Sequence, residues 1–342
     1  MENKLIEFHN GLEPNDYLTS YNLARKCDVV FGEAVTKDQY RELNMKTGEY
    51  TIFKESENYV IYRKNKINIC EGDIVFCKTD FILELFTILR KKKNIENISI
   101  LTHQMADPPI SKELYSLKPS CVRYWFSLNV EYDHPELIPV PLGLGNEYAD
   151  ANLQIQEIKS GIKKFGNLAK KNTILVNFNP STHKIREKVS NYYQNLEWAS
   201  NEAMKPRKDF IKDLIKSKYS ACPIGWGLDT HRYWESLYCG VIPVVDDSYD
   251  YKKLKTPSQF LYSNINEVNQ LALEEKYNEL NKQLLNNLER LTVSWWFENI
   301  IDLLEKEKNT QDILNYDFFD KFFKRFLKIR LRFIKFISKL WK

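Results

Sequence analysis

Short apolar runs alternate with amphipathic stretches through most of the chain. Residues 28–31 (DVVF) and 73–77 (DIVFC) have the length and composition of buried strands, 81–90 (FILELFTILR) of a helix, and 98–102 (ISILT) of the next strand. Residues 122–126 and 137–140 add two more short strands. The stretch 145–170 is polar and lacks a strand pattern, and a second series begins after it. There 173–177 (TILVN) reads as a strand, 183–195 and 207–217 as helices, and 219–222 as a short strand. Residues 229–239 read as a helix, 241–245 (VIPVV) as a buried strand and 265–304 as largely helical. Strands alternating with helices favour parallel sheets covered by helices. The pattern predicts an α/β fold of two Rossmann-like domains, 1–150 and 173–315, joined by a linker at 151–172 with a cleft between them. Ligands of such sheets bind outside the carboxyl ends of the strands.

After residue 315 the pattern changes. Phe319, Phe322, Phe326, Ile329, Phe333, Phe336 and Leu340 recur at spacings of three and four, while Lys321, Lys324, Arg325, Lys328, Arg332, Lys335 and Lys339 fill other faces. Residues 316–342 are therefore predicted to form an amphipathic helix with an aromatic stripe and a cationic face. Charge sharpens this picture. Of 50 basic and 46 acidic residues, nine basic and two acidic ones fall in 316–342, so the remainder is slightly acidic. That argues against nucleic acid as a partner and directs attention to the tail. Its stripe and cations suit an anionic membrane surface, with Phe322, Phe326, Phe333, Lys324, Arg325, Lys328 and Arg332 as the contacts. The heptad-like spacing leaves a coiled coil, or docking onto the protein's own surface, as alternatives. A zipper would carry acids to pair its lysines, and none follows Asp320.

No run of 18 apolar residues is present, and the start, MENKLIEFHN, lacks the apolar core of a signal peptide. The six cysteines are scattered, without CxxC or zinc-site spacing, and read as reduced thiols. The expectation is a cytoplasmic protein, peripheral on the inner face of the cytoplasmic membrane.

The densest chemistry lies in 218–247, KYSACPIGWGLDTHRYWESLYCGVIPVVDD. A short strand leads to a loop with Gly225 and Gly227, a helix starts near Asp229 or Thr230, Gly240 ends it, and VIPVV follows. A glycine loop feeding a helix N-terminus suits a diphosphate, because free N–H groups and the helix dipole favour an anion. His231, Arg232 and Glu235 fall on the first turns, with Arg232 and Glu235 on one face. An arginine can clamp phosphate, and a glutamate one turn on can accept from ribose hydroxyls. An i,i+3 ion pair on a surface helix is the plain alternative. Upstream, Arg186 near a helix start could reach a phosphate, or be a solvated charge.

Residues 222–245 resemble the C-terminal signature of exostosin-like glycosyltransferases. The resemblance rests on Cys-Pro-x-Gly, on Arg followed three residues later by Glu, on Gly-x-Ile-Pro-Val, and on the run from Gly227 to Pro243. Further matches are Thr79-Asp80-Phe81, Thr102-His103, Asp107, Trp125-Phe126 with Asn129, and Pro139–Leu144. The segment 177–186, an Asn-rich turn followed by Arg, matches as well. The resemblance covers roughly residues 70–250. It implies a GT-B fold with a nucleotide-sugar donor held mainly by the C-terminal domain, no cofactor, no catalytic metal, and commonly inversion at the anomeric centre. It also implies a glycan or lipid-linked acceptor in surface polysaccharide or lipopolysaccharide synthesis. Asp246-Asp247 reads as a strand end rather than a metal-binding pair.

Inverting transfer needs a base for the acceptor proton. In this architecture it comes from the N-terminal domain, and the loop 102–109 follows a predicted strand. Asp107 and His103 are the first candidates and Asp80 the next, with a turn or cap, a buried histidine and a helix cap as their respective alternatives. Two rivals stand beside this reading. A fucosyltransferase-like GT-B enzyme would carry a Tyr-x-Thr-Glu-Lys run, which is absent. A non-catalytic carbohydrate-binding or scaffold protein would keep the fold without the chemistry.

Overall fold

The computed structural model describes residues 2–340 apart from 45, 47, 105–108, 150, 202–205, 248 and 250. Numbered along the chain, its strands begin with β1 (Val29–Thr36), β2 (Tyr50–Glu55), β3 (Tyr59–Lys64), β4 (Lys66–Glu71), β5 (Ile74–Lys78), β6 (Ile98–His103), β7 (Val122–Ser127) and β8 (Leu137–Pro139). There follow β9 (Lys171–Val176), β10 (Ala199–Asn201), β11 (Ser217–Ala221), β12 (Ile242–Asp246), β13 (Phe260–Tyr262) and β14 (Glu307–Asn315). The structure is mixed α/β with parallel sheets. Contacts divide the chain into two units, one of Met1–Asn22 with Pro141–Asn299, the other of Leu23–Val140 with Ile300–Lys342.

In the 23–140/300–342 unit a seven-stranded sheet runs β2-β3-β1-β5-β6-β7-β8. From β1 to β8 neighbours are parallel, and β2 and β3 add an antiparallel edge. The apolar strands β5, β6 and β7 and the wholly buried helix Ile82–Leu89 form its core around Phe86 and Trp125. That follows from the continuous apolar runs, which suit strands covered on both faces. β14 pairs antiparallel with β4, more than 200 residues away in sequence. Gly72 just after β4 has φ +81, and a Cβ there would lie 2.0 Å from the Glu305 carbonyl oxygen, so this close approach requires glycine.

The final helix, Phe318–Leu340, packs on the helix Ile82–Leu89 of the same unit. Leu327 is buried, Leu331 and Ile334 lie against the core, and Asp320 accepts from Lys91 at 2.6 Å. The helix is thus docked by one face on the protein's own surface.

In the 1–22/141–299 unit a five-stranded, all-parallel sheet runs β10-β9-β11-β12-β13. In chain sequence this is the order 2-1-3-4-5, one of the common doubly wound orders. The expected linker 151–172 contains the helix Ile155–Phe165 and the start of β9. Its polar appearance reflects a helix with a single buried stripe, Ile158, Gly161 and Ile162. The N-terminal helix Glu2–Gly11 belongs to this unit because His9 bonds the Tyr238 carbonyl at 2.7 Å and the Tyr17 hydroxyl at 2.8 Å.

Candidate functional site

β9 and β11 are adjacent, yet the chain leaves β9 toward β10 and β11 toward β12, on opposite sides. Loops that part in this way leave a crevice at the carboxyl ends of the strands, where such sheets take ligands. The loop after β9 carries Asn177, Phe178 and Asn179, and the loop after β11 carries Gly225, Trp226 and Gly227 before the helix His231–Tyr238. Of the sequence-predicted donor residues, Gly225 and Gly227 lie in the loop after β11, Asp229, His231, Arg232 and Glu235 lie at or on the helix that follows it, and Arg186 reaches the loop from the helix Lys184–Tyr193.

Arg186 reaches the β11 loop from the helix Lys184–Tyr193. Its guanidinium donates to the carbonyls of Ile224 (2.8 Å), Pro223 (3.1 Å) and Asn179 (3.3 Å). Among the described residues no carboxylate pairs with it. Burial pushes its pKa down, and the positive charge of Arg232 works in the same direction. Gly225 makes room for this packing, since a Cβ there would lie 2.6 Å from an Arg186 nitrogen.

Arg232 donates to Glu235 (3.0 Å) and to the Asn177 carbonyl, and its guanidinium carbon lies 4.1 Å from the centre of the Phe210 ring. Two of its five N–H donors are engaged in this way. Glu235 is 2% exposed, and its other oxygen accepts from the Leu153 N–H at 2.9 Å. Both oxygens are engaged under burial, and Glu235 holds Arg232 in place. The i,i+3 pair of the plain alternative therefore exists, but it is buried and braced from outside the helix.

Asp229 and His231 are also held by protein partners. The Asp229 carboxylate accepts from Leu142 N–H, Thr230 N–H and the Trp234 indole, each at 2.8 Å at closest. Burial raises its pKa to about 7. His231 Nδ1 lies 2.8 Å from the Gly143 carbonyl oxygen, and burial lowers its pKa. These two residues fasten the segment Pro141–Leu144 to the start of the helix. Gly143, at φ +69, has no room for a Cβ beside Leu18.

Two features escaped the sequence reading. Trp226, between the two glycines, is 81% exposed. Its signal was present, since an aromatic flanked by glycines has no helix or strand to bury it. Thr230 sits at the N-cap position with a buried hydroxyl that has no hydrogen-bond partner among the described residues. No sequence rule distinguishes that from an ordinary cap.

In the other unit, His103 ends β6 and is 2% exposed. Its Nδ1 accepts from the Gln104 N–H at 2.9 Å, which places the ring proton on Nε2 and makes the outer nitrogen a donor. Asp80 follows β5 and pairs with Lys78. Asp107 lies outside the described residues.

On the final helix, Phe322, Phe326 and Phe333 are more than half exposed, and Arg325, Lys328 and Arg332 are exposed. Lys324 departs from the expectation. It pairs with Glu84, which is 2% exposed, because it lies three and seven residues before the docked Leu327 and Leu331.

Residues 172–326 match the family model described as RXYLT1 C-terminal domain, a C-terminal domain of a xylosyltransferase of the exostosin/glycosyltransferase type. The match covers less than half of the chain and includes β9 to β14 with their loops. It points to a glycosyltransferase. No curated protein matches the chain.

Proposed function

We propose that this chain is a GT-B-type glycosyltransferase that draws its sugar from a nucleotide-activated donor, with the donor diphosphate held in the β9–β11 crevice. The observation that supports this most is the convergence of two guanidinium groups beside a glycine loop and a helix N-terminus, Arg186 having no carboxylate partner among the described residues. Arg232 is paired with Glu235, but among the described residues no carboxylate faces Arg186, and a diphosphate supplies that counter-charge. When the anomeric carbon leaves the β-phosphate oxygen, charge grows on the nucleoside diphosphate. Fixed cations stabilise that charge more than they stabilise the intact donor. Trp226 offers an exposed ring face to a nucleobase or a sugar. Glu235 orients Arg232, while Asp229 and His231 fix the loop that starts the helix.

The acceptor oxygen forms the new bond, and its proton passes to a base. Asp107 is the first choice for that base, with Asp80 behind it; His103, the other candidate, would first have to give up its Nε2 proton. The reading extends to a glycan or lipid-linked acceptor of surface polysaccharide or lipopolysaccharide synthesis, and to inversion without a metal.

A panel of nucleotide sugars, screened for thermal stabilisation and for slow hydrolysis, tests the reading. A donor at about 100 times its Kd stabilises by about 2.7 kcal/mol. Trp226→Ala and Arg186→Gln should each lose most of that shift. With the donor identified, Asp107→Asn should still bind it and transfer about 10²–10⁴-fold more slowly. Absence of both stabilisation and hydrolysis across the panel would leave the non-catalytic carbohydrate-binding reading in its place.

A further inference from the structure

The final helix carries two apolar faces, and among the described residues one of them is packed and the other exposed. Leu327, Leu331 and Ile334 face the helix Ile82–Leu89 and its core. Phe319, Phe322, Phe326, Ile329, Phe333 and Phe336 are between 53% and 77% exposed. At 100° per residue this stripe lies roughly opposite the docked face, and it runs for about 25 Å. Soluble proteins seldom leave a contiguous apolar band of that length in water.

Charge identifies what covers it. Lys321, Arg325, Lys328 and Arg332 are exposed and follow one another along one flank of the stripe. From Lys321 to the last residue there is no Asp or Glu. A second copy of the helix laid on this stripe would bring two cationic flanks together. Anionic phospholipid headgroups meet both features, since the rings enter the acyl boundary while the cations remain among the phosphates. No helix among the described residues is long and apolar enough to cross a membrane.

We propose that the exposed Phe319–Phe336 face is an anionic-bilayer docking surface, and that the opposite face of the same helix mounts the 23–140/300–342 unit on it. This goes beyond the donor-site reading and does not depend on it.

The full chain, mixed with vesicles of phosphatidylcholine alone or with about one third phosphatidylglycerol, should sediment with the anionic vesicles only. Each exposed cation near such a surface is worth about fivefold in partitioning, so Lys321, Arg325 and Lys328 changed together to Gln should weaken binding roughly 100-fold. Phe322, Phe326 and Phe333 changed together to Ser should abolish binding even at low salt. Those rings are exposed, so this variant should keep the thermal transition of the parent. A parent protein that stays in the supernatant with anionic vesicles overturns the proposal. So does binding that survives loss of the three rings. A concentration-dependent dimer in sedimentation velocity, lost in the ring variant and unaffected by vesicles, would assign the face to a second copy.

Discussion

Arg232 stands in two roles at once, and removing it should separate them. In Arg232→Ala, Glu235 keeps only the Leu153 N–H as partner while remaining 2% exposed. A buried carboxylate stripped of its counter-charge costs about 3–5 kcal/mol, which for a unit of this size is a fall of roughly 6–20 °C in Tm. The same substitution removes the guanidinium from the crevice. A charge-assisted contact is worth about 1.5–3 kcal/mol, so nucleoside diphosphate affinity should drop about 10–150-fold. Arg232→Met combined with Glu235→Gln distinguishes the two. The methionine fills the space over the Phe210 ring, and the amide oxygen still accepts from Leu153, so most of the stability should return. The nucleotide affinity should not. Differential scanning fluorimetry and titration calorimetry on the parent, the single and the double variant give both numbers. If the double variant binds nucleotide like the parent, Arg232 is scaffold alone and the donor-site reading loses one of its two cations. If Arg232→Ala melts like the parent, the argument from the buried Glu235 is wrong.

Gly225→Ala should fold, since the added Cβ meets the end of the long Arg186 side chain and displaces its guanidinium, yet it should bind nucleoside diphosphates nearly as weakly as Arg186→Gln does; calorimetry with normal affinity would remove Arg186 from the site. Two buried groups of one unit should show opposite pH trends. Burial lowers the His9 pKa to about 4, so its contribution is complete above about 6.5 and is lost as pH falls toward 4, by about 3 kcal/mol. Burial raises that of Asp229 to about 7, so its contribution is greatest near pH 4 and is lost as pH rises to 7, by about 4 kcal/mol. Relative to the parent, His9→Gln should therefore become progressively less stable above pH 4, and Asp229→Asn less stable on acidification; melting curves with parallel pH dependence would contradict both. On the final helix, Lys324→Ala should cost about 3 kcal/mol by stranding buried Glu84, whereas Phe322→Ser should stay within about 0.5 kcal/mol. Denaturant unfolding that ranks these two the other way would mean the helix docks by its aromatic face.

Local periodicity by itself determined much of this protein. The runs ISILT and VIPVV are β6 and β12 within a residue or so, because a short apolar run bounded by turn residues has few other ways to bury itself. The glycine loop, the helix after it and its Arg-Glu pair were legible for the same reason: spacing along a helix fixes which side chains share a face. Tertiary structure alone decided the rest. The polar segment EKNTQDILN becomes β14 only because β4 presents an open edge to it. Helix spacing assigned an apolar stripe to the tail correctly, but it could not say that the protein would pack the weaker Leu327–Leu331–Ile334 face and leave the aromatic one outside. Spacing placed Asp229, His231 and Glu235 beside a ligand. It could not show that their carboxylates and ring bond Leu142, Gly143 and Leu153, residues some 80 positions away that no local pattern brings near. A sequence records which groups are polar, but the hydrogen-bond partner that satisfies each buried one is set by the fold.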